Sequence, residues 1–384
     1  MLKKVRIILT ALLLLAAVGV NAQVTTASMA GKVTDASNEP IIGATVQAVH
    51  QPSGSRYGTV TNVDGRYSIQ GMRTGGPYRV EISYIGYQTV IYKDITLQLG
   101  EVYNLNVEMS ESSELLNEVI VTAAKTKFTA EKTGATTNIS SAQITQLPTV
   151  NRSISDIARL SPYANGMSFA GGDGRSTNFT IDGANFNNNF GLSSNLPGGG
   201  NPISMDAIEE VQVVVAPFDV RQTNFIGGGI NAITKSGTNT FRGTAYTYYR
   251  NQDMRGNRIN GEDLGARSDE SKTTYGFTLG GPIIKNKLFF FVNYEKEKTP
   301  GEVIKYRARE DGEDAKGMVS RTLKSDMEKV YNHLKDKYGY DAGSYTSFPA
   351  DEENTKILAR IDWNITDRHR LSLRYNNTKN TAWN

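Results

Sequence analysis

Phe241-Arg-Gly-Thr-Ala-Tyr-Thr-Tyr-Tyr-Arg250 changes character at every residue. Successive side chains of an extended strand point to opposite faces. Phe241, Gly243, Ala245, Thr247 and Tyr249 therefore share a lipid-compatible face, and Arg242, Thr244, Tyr246, Tyr248 and Arg250 a polar one. The pattern recurs downstream. Thr273, Tyr275, Phe277 and Leu279 stand against Lys272, Thr274, Gly276 and Thr278. Leu288, Phe290, Val292 and Tyr294 oppose Lys287, Asn293 and Glu295, although Phe289 and Phe291 also fall on the polar side. Ile357, Ala359, Ile361 and Trp363 oppose Lys356, Arg360 and Asp362, and Leu371, Leu373 and Tyr375 oppose Arg370, Ser372 and Arg374. Five runs that are apolar outside and polar inside predict strands of a transmembrane β-barrel.

Geometry and loop lengths point the same way. From Phe241 to Tyr249 is ~27 Å along a strand, which a tilt of ~40° shortens to about the height of an aromatic-bounded lipid band. Connections alternate between short, at Ile284-Lys-Asn286 and Asn364 to His369, and long, at Asn251 to Ser271 and Thr299 to Asn354. Short periplasmic turns with long external loops are the outer-membrane pattern. A soluble β-sandwich with one wet face is permitted by the same alternation; the loop asymmetry and the export signal described next favour the barrel. Within the longest loop, Leu323, Met327, Val330, Leu334 and Tyr338 recur at helical spacing before Gly339, which predicts a capped helix whose apolar stripe is most simply a packing face, with contact to a ligand or a surface partner as the alternative.

At the other end of the sequence, Lys3, Lys4 and Arg6 precede an apolar or small run from Ile7 to Val20, and Val20-Asn21-Ala22 offers small residues for cleavage. Residues 1–22 are predicted to be a secretory signal peptide. The run is shorter than the ~20 apolar residues that a spanning helix needs. Lys plus Arg number 42 and Asp plus Glu 39, and those three leader cations account for the whole excess, so a basic nucleic-acid binder is not expected. The absence of any cysteine rules out a disulfide scaffold, thiol chemistry and a cysteine-ligated metal site.

Residues 27–110 contain short β-rich runs parted by turn signals, the pattern of a small antiparallel β-sandwich. Their motifs are Gly31-x-Val33-x-Asp35, Pro40-Ile-Ile-Gly43-Ala44-x-Val46, Thr61-x-x-Asp64-Gly65-x-Tyr67 and Gly86-Tyr87. This series closely resembles the carboxypeptidase-regulatory-like domain, an Ig-type module that is non-catalytic in carboxypeptidases. Its histidine, His50, is read as an ordinary strand-end residue rather than a metal ligand.

Residues 111–123 are a polar linker running into Leu115-Leu-Asn-Glu-Val-Ile-Val-Thr122. A β-branched strand here can pair within its own domain or add to a partner's sheet edge. Residues 124–237 are rich in Gly, Asn and Ser, and their glycine triplets lack the spacing of a phosphate-binding loop. The region holds Phe179-Thr-Ile-Asp182-Gly183, then Ile208-Glu-Glu-Val-Gln-Val-Val214, then Gly228-Gly-Ile-Asn231-x-Ile-Thr-Lys235-Ser-Gly-Thr-Asn239-x-Phe241-x-Gly243. These motifs resemble the plug of TonB-dependent outer-membrane receptors and its junction with the barrel, in particular the Oar-like branch.

That resemblance implies an Ig-like sandwich, an α+β plug and, from residue 238, the first strands of an outer-membrane β-barrel. It makes Glu118, Val119, Ile120, Val121 and Thr122 the candidate strand for a TonB-type energy-coupling complex. It makes Asn185, Phe186, Asn187, Asn188, Asn189 and Phe190 the candidate apical loop, although Asn-rich segments are commonly plain solvated turns. The expected partners are outer-membrane lipid, the coupling complex and a bulky nutrient such as a glycan, peptide or metal chelate, with no cofactor and no metal. A non-transporting adhesion or surface-assembly protein is the alternative. An enzyme is not expected, because His50, His333 and His369 lie in separate segments without a nucleophile motif. After Gly237 there remain 147 residues, whereas a plugged barrel of ~22 strands needs several hundred, so an incomplete barrel is expected.

Overall fold

The computed structural model describes residues 24–111, 119–122, 135–147, 149, 151–187, 196, 200–217, 222, 226–256, 258–263, 270–301, 306–316, 319–343 and 350–382. The expected signal peptide, Glu118, and Asn188, Asn189 and Phe190 lie outside them. The chain forms two compact units, one of residues 1–243, 278–292 and 358–375, the other of 244–277, 293–357 and 376–384.

The first unit begins with a sandwich of nine strands: β1 (Ala27–Asp35), β2 (Thr45–His50), β3 (Ser55–Val60), β4 (Arg66–Met72), β5 (Gly75–Ser83), β6 (Val90–Leu97), β7 (Val102–Asn104), β8 (Val107–Met109) and β9 (Val119–Thr122). One sheet runs β4-β1-β7 with β8 also on β1, and the other runs β3-β2-β5-β6-β9. Alternation fixes the register. Tyr78, Val80 and Ile82 of β5 are fully buried, and Val46 and Ala48 pack beside them from β2. The motif residues turn out to be fasteners. Thr61 receives the Ala44 N–H at 2.8 Å and donates to the Ile41 carbonyl at 2.6 Å, Asp35 accepts the N–H groups of Ser37 and Glu39, and the Tyr67 hydroxyl donates to Leu105 O at 2.7 Å. His50 ends β2, bonded through Nδ1 to Ser53 Oγ at 2.7 Å. Burial, aided by the nearby Arg73 charge, pushes its imidazole down to about 3, so it sits in the core as a neutral side chain.

Next comes a second domain of α+β type, as expected. It contains β10 (Ala135–Ser140), α1 (Ser141–Gln146), α2 (Ile154–Ala158), β11 (Ala164–Asn165), β12 (Ser168–Phe169), β13 (Asn178–Ile181), β14 (Ala184–Asn185), β15 (Ile208–Ala216) and β16 (Gly229–Thr234). Its sheet runs β10-β15-β16-β13-β14, antiparallel except where β13 lies parallel to β16. Phe179, Ile208, Val211 and Ile230 form its core with Ile154 and Ile157 of α2. Ser153 caps α2 with a capping box closed by Asp156.

Five long strands follow: β17 (Arg242–Asn251), then, past the small hairpin β18 (Arg258–Ile259) and β19 (Glu262–Asp263), β20 (Ser271–Ile284) and β21 (Leu288–Thr299). The longest loop contributes β22 (Arg307–Arg309), β23 (Val319–Leu323) and α3 (Lys324–Tyr338), after which β24 (Glu352–Asn364) and β25 (Arg370–Thr381) complete the set. The sheet order β17-β20-β21-β24-β25 is sequence order. The predicted helix is present, with Gly339 in the left-handed conformation as its C-cap. Its stripe is not the packing face expected. No residue of α3 is buried, and Val330 and Tyr338 are exposed.

Candidate functional site

Strands β17 to β25 are inside out relative to a soluble sheet. Phe277, Ile361, Trp363, Leu371, Leu373 and Tyr375 are exposed, while Thr274, Asn293, Glu295, Lys356 and Asp362 are buried. Water-soluble proteins bury the apolar face and wet the polar one. A lipid solvent reverses that preference. Phe289 and Phe291, which fall on the polar side of the alternation, are also buried. Phe291, with Leu358 of β24, joins the apolar core of the α+β domain. The Phe291 ring faces inward because a hydrophobic domain meets the inner face of the sheet at that level.

In the second unit the inner face carries buried charge. Lys356 Nζ stands 2.7 Å from Glu295 Oε1, both side chains nearly fully buried, and the Tyr246 hydroxyl donates to Glu295 Oε2 at 2.8 Å. Lys272 pairs with Glu297 at 2.7 Å in the same unit. Buried ions survive only when paired and hydrogen-bonded, and the alternation places both partners on one face.

The densest constellation lies in the first unit, where the α+β domain meets β24 and β25. Ile181 pairs with Ala184, leaving a two-residue hairpin loop whose members both have positive φ, Asp182 at 49° and Gly183 at 84°. This is a type I′ turn, for which Asp-Gly is favoured because glycine enters the left-handed region freely. The Asp182 carboxylate accepts the Thr234 N–H at 3.0 Å and the Thr234 hydroxyl at 2.6 Å. Arg374 of β25 reaches it at 2.9 Å and Arg360 of β24 at 3.8 Å. Arg360 also forks onto Asp362, Nε to Oδ2 at 2.8 Å and Nη2 to Oδ1 at 3.1 Å, and donates to the Thr234 carbonyl at 2.7 Å. Ser372 and Arg73 add a hydroxyl at 2.5 Å and a guanidinium at 3.4 Å to Asp362. Three cations and two carboxylates thus interlock, with the Asp182 side chain 6% exposed and that of Asp362 1%.

Sequence reasoning quoted Asp182 within its motif and Arg360, Asp362 and Arg374 as inward polar residues without joining them. The available signal was a charged Asp-Gly turn matched by arginines on the inner face of two strands. Of the expected coupling segment, Val119 to Thr122 form β9 and pair parallel with Val90 to Lys93 of β6. The pairing is within the chain's own sandwich, the first of the two possibilities open to such a strand. Of the expected apical loop, Asn187 accepts the Phe179 N–H at 2.6 Å and donates to Asn178 Oδ1 at 2.8 Å, so its amide fastens the hairpin. Asn185 is exposed and accepts the Asn187 N–H. Phe186 packs partly on the domain core. No cluster of potential metal ligands occurs among the described residues.

Residues 28–110 match the carboxypeptidase regulatory-like domain, and residues 233–303 match an outer membrane beta barrel domain. Over 376 residues the chain is 25% identical to the TonB-dependent transporter Oar of Myxococcus xanthus, a match that takes in 91% of the chain and 33% of Oar. The chain therefore spans about a third of that relative's length. Similar solved structures include the siderophore receptor PirA of Acinetobacter baumannii, 22% identical over 65% of this chain and 32% of that one, with a TM-score of 0.42. The outer membrane transporter YddB of Escherichia coli is 17% identical over 64% of this chain and 33% of its own, with a TM-score of 0.43. The chain is thus similar to a carboxypeptidase regulatory-like domain over residues 28–110, to an outer membrane beta barrel domain over residues 233–303, and, across most of its sequence, to part of a TonB-dependent transporter.

Proposed function

We propose that the chain serves energised uptake of a bulky nutrient, a glycan, peptide or metal chelate, through the outer membrane. In this reading the α+β domain is the plug, and residues 118–122 are the strand offered to a TonB-type energy-coupling complex. The observation that carries it is the inverted sheet, lipid-compatible outside and charged inside, with the α+β domain fastened to its inner face through Asp182, Arg360 and Arg374. The ionic fastening stands beside the apolar contacts of Phe291 and Leu358 with the domain's core, so displacing the domain requires the energy that a coupling complex would supply. β9 ends its sheet, and a terminal strand has one edge available for β-augmentation. Asn187 reaches the Phe179 N–H and Asn178 Oδ1 at the start of β13, the end of that strand away from the Asp182 turn, which supports the segment that begins at Asn185 as a substrate-facing loop.

The chain has no cysteine, so single cysteines at 119, 120, 121 and 122 are unambiguous probes. In cells carrying a cysteine-substituted TonB periplasmic domain, disulfide cross-links are expected at these positions and not at exposed control sites such as Val63. Membrane-inserted receptor that cross-links at none of them would refute the coupling and leave the adhesion reading.

A further inference from the structure

We propose that the N-terminal sandwich is a bolt: it grips the α+β domain with one turn and the barrel strands with another, and so keeps the α+β domain seated. The first grip is on the backbone of one residue. Leu99 lies in the turn after β6 and is fully buried. Its N–H donates to both carboxylate oxygens of Glu210, at 3.0 and 3.1 Å. Its carbonyl accepts from the side-chain amides of Gln212 at 2.6 Å and Asn138 at 3.2 Å. Glu210 and Gln212 are themselves buried, two residues apart on one face of β15. A carboxylate and an amide kept out of water need partners, and here another domain's backbone supplies them. Val24, Leu99 and Ile233 close over the contact as a small apolar cluster.

The second grip falls on the short turns of the barrel strands. Pro52 O accepts the Asn239 N–H at 2.8 Å. Asn364 donates to Ser55 Oγ at 3.0 Å, and Arg370 lies 3.9 Å over the Tyr57 ring. Arg73 adds Ser236 Oγ at 3.1 Å to its pairing with Asp362. The approach is close enough that a Cβ on Gly54, whose φ is +63°, would lie 2.2 Å from Asn286 Oδ1. Both grips are built mainly from directional polar contacts, most of them to side chains on the receiving element. Because one folded module holds both ends, the α+β domain cannot leave the strands until one grip has broken. The inference is independent of how the receptor is energised.

Ser55→Cys with Asn364→Cys introduces two cysteines into a cysteine-free sequence at positions whose side chains hydrogen-bond across the second grip. In receptor assembled in outer-membrane vesicles, oxidation is expected to slow amide exchange in β15 and β16 about tenfold relative to the reduced form, because opening then requires the other grip alone to yield. A second variant, Ser55→Ala with Arg73→Ala, is expected to accelerate the same exchange about tenfold while β2 and β5 of the sandwich exchange as before. Equal exchange of β15 and β16 in the oxidised, reduced and doubly substituted proteins would overturn the proposal. So would acceleration that includes the sandwich itself, since that signals an unfolded module rather than an open bolt.

Discussion

Asp182→Asn keeps the size of the side chain and its tolerance of the left-handed turn while deleting one charge from the seam. In the wild type that charge stands 2.9 Å from Arg374 and 3.8 Å from Arg360 and accepts two bonds from Thr234. A pair of unit charges at 4 Å is worth about 4 kcal/mol at an effective dielectric of ~20. Removing one partner of a buried pair costs ~3–5 kcal/mol, mostly as the penalty of stranding the other. Arg374 keeps 28% of its side chain in contact with solvent, and the amide still accepts one Thr234 bond, so the lower end applies, about 3 kcal/mol. The assay is urea-dependent amide exchange of β13 and β16 in membrane-assembled protein, with the long strands β20, β21 and β24 as internal reference. A double-mutant cycle with Arg374→Gln is expected to return at least about 1 kcal/mol of coupling. Coupling within ~0.3–0.5 kcal/mol of zero would show two independent side chains and refute the seam as a fastening.

Three further outcomes follow from the same physics. His50 is held near 3 by burial and then by Arg73, below its unfolded value of about 6.5, so its contribution to sandwich stability is present above pH 6.5 and lost as pH falls. The loss is about 2 kcal/mol by pH 5, and pH-dependent urea unfolding of His50→Asn is expected to lack that slope. Phe277→Arg, on the exposed apolar face between the expected aromatic girdles, is expected to cost ~2–4 kcal/mol of assembly measured by folding into lipid vesicles, whereas a soluble sheet would tolerate it. Glu209 of β15 is raised by burial, against the opposing pull of Lys235, Arg360 and Arg242. Its penalty therefore appears as pH rises through the folded value, and Glu209→Gln is expected to stabilise the α+β domain at pH 7 and leave it unchanged at pH 4.

The sheet of long strands was legible because its code is local. Tyr275, Phe277 and Leu279 alternate with Thr274 and Thr278 whatever the rest of the chain does, and the structure keeps that division. The sandwich was legible through motifs whose residues close turns within a few positions of themselves, as Asp35 and Thr61 do. What alternation could not supply was long-range pairing. Phe291 breaks the polar face because it meets a domain that begins more than a hundred residues earlier. Asp182 meets Arg374 across 192 positions. Periodicity states which face Arg374 occupies and nothing about what waits there. The stripe on α3 shows the converse limit. Helical spacing of Leu323, Met327 and Val330 was correct as secondary structure, yet spacing carries no information about whether another surface covers it, and none of the helix is buried.

Lipid contact along one face of these strands can be measured directly. Single cysteines placed in turn at 371, 372, 373, 374 and 375 of the otherwise cysteine-free chain, each labelled with an environment-sensitive fluorophore, can be tested against lipid-borne nitroxide quenchers in native-composition vesicles. Strong quenching is expected at 371, 373 and 375 and weak quenching at 372 and 374. Quenching without that two-residue alternation, or labels reached only by a water-soluble quencher, would contradict it.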